Sequence, residues 1–432
     1  MLMHRHPLNE ISATEITRRI AAGEITAEAV VDACLERIAT REPSVHAFAN
    51  LDPALARRRA RELDRAPWRG PLHGVPIGVK DVLDTADLPT EMGSPIYRGY
   101  QPSADSAVVA LARAAGAIIL GKTVTAEFAG MAPGPTANPH NPAHTPGGSS
   151  SGSGAAVADF MVPAALGTQT GGSILRPASY CGIIGYKPSF GAFNRAGLKL
   201  AAESLDTIGL LARSLDDVEL FTAVLLSRQP APPRVLESAP RVGLCRTSLW
   251  DHAQPGTVAA IEEAVKRLNA AGAHIRDITL PGSFAGLKTA ARESINCYER
   301  SKSLAPEWQS HRELLSGQMQ HCISKGLEMR YEDYLAAIRL GETCRAQLDS
   351  VFDGLDVLLT PCTNGEAPVG LAHTGDPGFQ AIWTILHVPA MSLPTHRGST
   401  GLPVGIQLIA PKHKDEHLFA CARWIWRRLG PQ

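Results

Sequence analysis

The chain has no net charge, no long apolar run and no paired-cysteine pattern, and each absence removes a class of protein. Lysine plus arginine and aspartate plus glutamate number 42 each among 432 residues, so neither sign is in excess. That balance argues against nucleic acid or an anionic membrane surface as a partner. No run of 18 apolar residues occurs, and the opening MLMHRHPLNEISATEI has no apolar h-region. The expectation is therefore a cytoplasmic chain with neither a membrane span nor a secretion signal. The eight cysteines, at 34, 181, 245, 297, 322, 344, 362 and 421, are scattered without a C-x-x-C pair. Such spacing fits reduced thiols better than a disulfide framework. No period of 20–50 residues recurs, which excludes a solenoid.

What is present is enough apolar material for a large core: 44% hydrophobic residues against 19% charged. Residues 11–65 read as helices, because Ile16, Ile20, Ile25, Val30, Val31, Cys34 and Ile38 recur near helical spacing, with Gly23 as a break. From about 70 to 225, β-rich runs alternate with Ala-rich helical ones, the pattern of an α/β sheet. The proline-dense stretch 229–234 reads as a linker. A strand at 241–245 and a helix carrying Val258, Ile261, Val265 and Leu268 on one face follow it. Residues 284–350 read as a polar helical layer, and strands at 356–360 and 403–409 rejoin the main sheet. The expected architecture is one large domain of α/β class. An N-terminal helical segment, 1–65, precedes a main body, 66–432, whose core is 66–225 and 351–432 around a more variable helical region, 230–350.

Two glycine-serine turns lie 24 residues apart: Gly147-Gly148-Ser149-Ser150-Ser151-Gly152 and Gly171-Gly172-Ser173. Glycine pairs let the backbone approach a ligand, and N–H groups exposed at such a turn can hold a developing oxyanion. A serine following the pair can act as a nucleophile if a base takes its proton. Lys80 offers that base, since it ends the apolar alternation Val75, Ile77, Val79 at the end of a buried strand. Burial favours the neutral amine, and a neutral lysine can serve a serine as base. The same residues also fit a solvated lysine or a structural Lys80–Asp81 turn.

Three rival signals are present. Gly116 to Thr123 matches G-x-x-x-x-G-K-[ST] letter for letter, yet a helix precedes it and a β-type run fills it. That order is the reverse of what a phosphate loop needs. Ala271-Gly272-Ala273-His274-Ile275 repeats the helix–glycine–strand order without the lysine. Gly148 to Gly152 satisfies G-x-S-x-G, with Ser150 as nucleophile and His373, His387 or His396 downstream, but this leaves the second turn and Lys80 unexplained. His140 and His144 form an H-x-x-x-H pair interrupted by Pro139, Pro142 and Pro146, so they read as loop surface, not metal ligands.

Lys80, the Gly-Gly-Ser-Ser turn and the Thr-Gly-Gly-Ser-Ile turn together resemble the amidase signature family of Ser-cisSer-Lys amidohydrolases. The resemblance continues through Gly185-Tyr186-Lys187-Pro188, Leu205-Asp206-Thr207-Ile208-Gly209, Asp356 to Pro361 and Gly401 to Gln407, and is weakest over 230–350. It implies a single-domain α/β fold with a large mixed sheet covered by helices on both faces. It also implies Ser173 as nucleophile, Ser149 as bridging serine and Lys80 as base. The oxyanion hole would come from the N–H groups of Thr170, Gly171, Gly172 and Ser173, with a cis bond before Ser149 and no metal or organic cofactor.

Arg176 gives Ser-Ile-Leu-Arg-Pro where Ser-Ile-Arg-x-Pro is common in the family, and is similar here to bacterial malonamidase-type members, as are Pro89 to Ser94 and Tyr97-Arg98-Gly99. Two readings stand: a fork that binds a substrate carboxylate, or a structural ion pair, with Asp206 as one candidate partner. Gln169 replaces the usual aspartate, and Arg213 is a further candidate near the pocket, more often structural. The implied function is hydrolysis of a small carboxamide bearing a carboxylate, with pocket walls from 125–135, 300–350 and 373–387. The alternatives are the ammonia-generating A subunit of a glutamyl-tRNA amidotransferase-like complex and an α/β-hydrolase-type esterase. A small-molecule amide is the expected partner, and a homodimer the expected assembly.

Overall fold

Eleven strands share one mixed sheet in the computed structural model, which describes residues 7–430. In chain order they are β1 (Phe48–Leu51), β2 (Pro76–Lys80), β3 (Ile118–Thr123), β4 (Ala164–Gln169), β5 (Ile184–Lys187), β6 (Thr207–Ala212), β7 (Arg241–Leu244), β8 (His274–Asp277), β9 (Val357–Pro361), β10 (Ala390–Arg397) and β11 (Pro403–Ile409). Across the sheet the order is β1-β3-β2-β4-β6-β5-β10-β11-β9-β7-β8. Parallel pairing joins β3, β2 and β4 on one side and β9, β7 and β8 on the other. The strands between these groups, and β1 at the edge, pair antiparallel.

Helices α1 (Ala13–Ala21), α2 (Ala27–Val45) and α3 (Pro53–Arg65) open the chain. Their starts are written locally: Ser12, Thr26 and Asp52 each accept a first-turn N–H, and Pro53 occupies the first turn of α3. Next come α4 (Ala107–Ala114), α5 (Ser151–Ala158), α6 (Leu175–Cys181), α7 (Leu215–Leu225) and α8 (Pro255–Ala270). The 284–350 layer holds α9 (Ser294–Ser303), α10 (Ala305–Ser310), α11 (Gly317–Glu328), α12 (Tyr331–Ala346) and the short α13 (Leu348–Val351), the last ending at 351. Two helices, α14 (Gly378–Ile385) and α15 (Asp415–Leu429), flank the returning strands. Among the described residues no helix is long and apolar enough to cross a membrane.

Strand alternation divides the core between the two faces. Ile77, Val79, Leu166, Ile208 and Leu210 join the cluster containing Val218 of α7, Ile261 of α8 and Ile425 of α15. Ala165, Leu211 and Leu358 point the other way, to Val31 of α2, Ala155 of α5, Leu175 of α6 and Trp383 of α14. A sheet buried on both faces needs apolar residues at nearly every strand position, and β2, β3, β4 and β6 are buried throughout. The chain therefore adopts the expected single-domain α/β fold, with helices on both faces.

The helix–glycine–strand order repeats as read. Gly116 has φ +97° and Gly272 φ +90°. At each, the next residue's N–H reaches back five positions, Ala117 to Ala112 and Ala273 to Leu268, both at 2.9 Å. These are paired Schellman caps feeding β3 and β8. Two readings need correction. Residues 11–65 are not helical throughout: the Glu42 carboxylate accepts from Ala47 and Phe48 N–H groups at 3.0 and 2.8 Å and turns the chain out of α2 into β1. Four residues are too few to display an alternation. On α8 the fully buried stripe is Thr257, Ala260, Ile261, Ala264 and Leu268, with Val258 and Val265 half-buried beside it.

Candidate active site

Strand β2 ends at Lys80, between β3 and β4, and carries its side chain into the interior without exposure. The amine nitrogen lies 2.7 Å from Ser149 Oγ, 2.8 Å from Thr168 Oγ1 and 3.4 Å from the Thr168 carbonyl. Burial disfavours its charged form. Asp206 opposes that, and the guanidinium groups of Arg300 and Arg176 reinforce it, so the amine sits well below the ordinary lysine range. The neutral amine, the form that can accept a proton, is thereby favoured.

Ser149 occupies the first glycine-serine turn, fully buried, after a cis Gly148–Ser149 peptide bond. Its carbonyl accepts from Ala126 N–H at 3.1 Å. The next residue ties this turn to the second one: Ser150 N–H donates to the Ser173 carbonyl at 3.2 Å. Ser150 Oγ donates to the Thr168 carbonyl at 3.2 Å and accepts from Thr168 N–H at 3.3 Å.

The second turn follows β4 and is held by its carbonyls. Gly171 O accepts from Thr384 Oγ1 at 2.7 Å, and Gly172 O accepts from Arg176 N–H at 2.8 Å. The N–H groups of Gly171, Gly172 and Ser173 find no acceptor among the described residues. Gln169 supports the same turn: Oε1 accepts from Ile174 and Leu175 N–H groups at 2.9 and 3.1 Å, and Nε2 donates to Thr384 Oγ1 at 3.0 Å. Neutral glutamine can accept and donate at once, which a carboxylate cannot. Thr170 Oγ1 donates to Asp206 Oδ1 at 2.5 Å, and Asp206 Oδ2 also accepts from Ala201 and Ala202 N–H groups.

Exposure rises along the line of catalytic candidates. Lys80 and Ser149 are 0% exposed, whereas Ser173 is 7% exposed and lies in the wall of a cavity of about 510 Å³. Thr170, Gly171, Gly172 and Arg176 line that same cavity. Arg292, α9, α11, Ala129 to Met131 and Asp376-Pro377 supply the rest of its lining. Five cationic side chains line it (Arg176, Lys288, Arg292, Arg300 and Lys325) against two carboxylates, Glu293 and Asp376. Asp376 is already taken by Lys288 at 3.3 Å.

Arg176 is 1% exposed and pairs with no carboxylate among the described residues. The expected partner Asp206 is committed to Thr170 and the 201–202 backbone. Nη2 donates to the Gly148 carbonyl at 2.6 Å and to Thr374 Oγ1 at 3.1 Å, while Nε and Nη1 have no acceptor. Burial brings this guanidinium down to about 10. Buried donors without partners are uncommon in folded proteins.

The remaining candidates lie elsewhere. Arg213 donates to the carbonyls of Val157, Val162, Asn9 and Ile11 and is structural. Lys122 of the phosphate-loop lookalike is 0% exposed and ion-paired with Asp81 at 3.0 Å inside β3. His140 and His144 bond to the carbonyls of Cys181 and Ala367. His387 bonds to the Ser204 carbonyl, and no histidine shares a hydrogen bond with Ser149, Ser150 or Ser173 among the described residues. Three partners of the site carry no signal that the sequence reading used: Thr168, Thr384 and the Arg292 guanidinium, which lies against Gly171. Thr168 alone has a local one, its place two positions before the second turn.

The Amidase family model matches residues 29–419. The glutamyl-tRNA(Gln) amidotransferase A subunit from Streptomyces coelicolor is 33% identical over 473 aligned positions, covering 95% of this chain and 94% of that protein. The protein of the same name from Anaeromyxobacter sp. is 34% identical, with 95% of each covered. Among solved structures, an amidase superposes with a TM-score of 0.88 at 29% identity, over 97% of this chain and 100% of that one. The native peptide amidase from Stenotrophomonas maltophilia gives 0.83 at 27% identity, over 99% and 98%.

Proposed function

Because this chain belongs to the Amidase family and hydrolyses amide C–N bonds, we propose that Ser173 is its nucleophile, relayed through Ser149 to Lys80. Neutral Lys80 accepts the Ser149 proton as Ser149 accepts that of Ser173, whose oxygen bonds to the amide carbonyl carbon. The oxyanion takes hydrogen bonds from the free N–H groups of the 170–173 turn, worth roughly 3–4 kcal/mol for one such donor. Return of the proton through Ser149 to the leaving nitrogen breaks the C–N bond and releases ammonia or an amine. Water, deprotonated along the same relay, then frees the acid from Ser173. The observation that carries this reading is the 2.7 Å hydrogen bond between Lys80 and Ser149, both fully buried.

The substrate we propose is a small carboxamide bearing a carboxylate. Arg176 supports it, with two buried nitrogens that have no protein acceptor, as does the cationic surplus around the cavity. An anion there accepts from one of these nitrogens and is desolvated at little cost beside so many positive charges. A panel of short amides, with and without a distal carboxylate, tests it. The carboxylated members should turn over with the higher kcat/KM, and a preference for neutral amides would sink this specificity.

The relatives from Streptomyces and Anaeromyxobacter favour a second reading, an ammonia-generating component of a larger assembly. On that reading glutamine hydrolysis would be negligible for the isolated chain and would appear once a partner protein is added. Turnover of carboxylated amides by the chain alone decides for the first.

A further inference from the structure

Two cysteines that the amide chemistry leaves unused meet in the wall of the cavity. Cys297 on α9 and Cys322 on α11 bring their Sγ atoms to 3.3 Å, and both are free thiols. The approach is built into the backbone. Gly326, one helical turn beyond Cys322, packs on the Cys297 carbonyl where any Cβ would collide, so α11 seats directly on α9 at this level.

The two sulfurs are not equivalent. Cys297 is buried, whereas Cys322 is partly exposed and accepts from Asn296 Nδ2 at 3.7 Å. The hydrogen bond between the sulfurs, helped by the nearby Arg300 and Arg292 charges, holds Cys322 below the ordinary thiol range despite its burial. The same contact pushes Cys297 up. The six other cysteines are buried, and desolvation raises all of them. Thiolate character and access therefore coincide at Cys322 alone, with a second thiol already in contact.

We propose that Cys297 and Cys322 form a reversible oxidation site, which a peroxide closes to a disulfide stapling α9 to α11 across the cavity wall. The Cys322 thiolate attacks a peroxide oxygen and the O–O bond breaks. Hydroxide leaves as water once protonated, and Cys322 becomes a sulfenic acid. Cys297 Sγ then attacks that sulfur, the S–O bond breaks, and a second water departs with the Cys297 proton. Two thiols lose two electrons, and one peroxide becomes two waters. The sulfurs need to close from 3.3 Å to a bond of about 2.0 Å, a shift of roughly 1.3 Å shared by two helices. A small dithiol reductant reverses the step by exchange.

The test is thiol chemistry on the full chain, so it stands apart from the amide reaction. Wild-type protein is treated with a few-fold excess of hydrogen peroxide, alkylated, and examined by intact mass and peptide mapping. The expected result is loss of two hydrogens, a single cross-link joining the 297 and 322 peptides, and full recovery with dithiothreitol. Cys297→Ser should stop at a sulfenic acid on Cys322 that dimedone traps, Cys322→Ser should give neither product, and Cys344→Ser should behave as wild type. Cross-links at other cysteines, oxidation of Cys322 straight to the sulfinic acid in wild type, or an unchanged cross-linking rate in Cys322→Ser would overturn the proposal. The wild-type mapping needs no variant to fold.

Discussion

Arg176 donates from Nη2 to the Gly148 carbonyl at 2.6 Å, so an arginine in α6, just past the second turn, steadies the peptide that precedes Ser149 in the first. The same side chain lines the cavity, and its Nε and Nη1 have no protein acceptor. One guanidinium thus holds the two turns together.

Arg176→Ala should lower kcat for every amide, since the Gly148 carbonyl loses its donor. It should also raise KM for carboxylated amides alone. Truncating one partner of a desolvated charge pair costs about 2–5 kcal/mol, so the carboxylated-to-neutral ratio of kcat/KM should fall about 30-fold or more. An equal loss for both substrate types, with folding intact, would leave the arginine a purely structural role.

Ser173→Ala should abolish turnover without lowering the melting temperature, because it deletes one hydroxyl from a side chain at the cavity surface. A fluorophosphonate should label the wild type at this residue and leave the variant unmarked. Persistent covalent labelling of the variant would assign the nucleophile to another serine.

Lys80→Met and Ser149→Ala should each lose at least about a hundredfold in kcat. The double variant should be little worse than either, because groups acting in one relay are not additive. Losses that multiply would mean that the two side chains do not share a proton path.

The features legible in the sequence are those written within a few residues. Lys80 follows a short apolar alternation, the two turns announce themselves by glycine pairs, and Gly116 and Gly272 mark helix ends. Partners distant in sequence leave no local trace. Gln169 and Thr384 are 215 residues apart and meet only because α14 packs behind the second turn. The α9 wall escapes a periodicity reading because its inward side chains include Asn296 and Arg300, which look there like a solvated face. Buried polar residues defeat hydrophobic patterning, and functional cavities are where they collect.

Activity should rise with pH through the Lys80 titration. The relay needs a neutral amine, so turnover falls as pH drops through its folded pKa, which burial places well below the roughly 10.4 of a free lysine. The same shift affects stability. Between the folded and unfolded values the unfolded chain binds the extra proton, so wild-type stability should rise with pH across that window, relative to Lys80→Met. A kcat flat from about pH 5 to 9, with chemistry rate-limiting, would argue against a lysine base.

Lys122 gives the opposite kind of prediction, a large effect on folding from a residue dressed as a ligand-binding one. It lies inside β3 at 0% exposure, bonds to the Pro89 carbonyl at 3.2 Å and pairs with Asp81, itself 1% exposed. Burial raises Asp81 to about 6 even beside that ammonium. Removing the lysine strands the carboxylate, and a broken buried pair costs about 3–5 kcal/mol. Lys122→Met should therefore lower the melting temperature by several degrees at neutral pH. Without its counterion Asp81 should hold its proton to still higher pH in the folded state, while the unfolded chain ionises near 3.9 as usual. A folded pKa raised in this way contributes stability at acid pH that is lost as pH climbs, so the deficit against wild type should be smaller at about pH 5 than at about pH 8. Replacing both partners, as Lys122→Met with Asp81→Leu, should recover part of the loss because no unpaired charge remains. Should Lys122→Met melt like the wild type at both pH values, the buried pair contributes nothing to folding and the lysine must be retained for another reason.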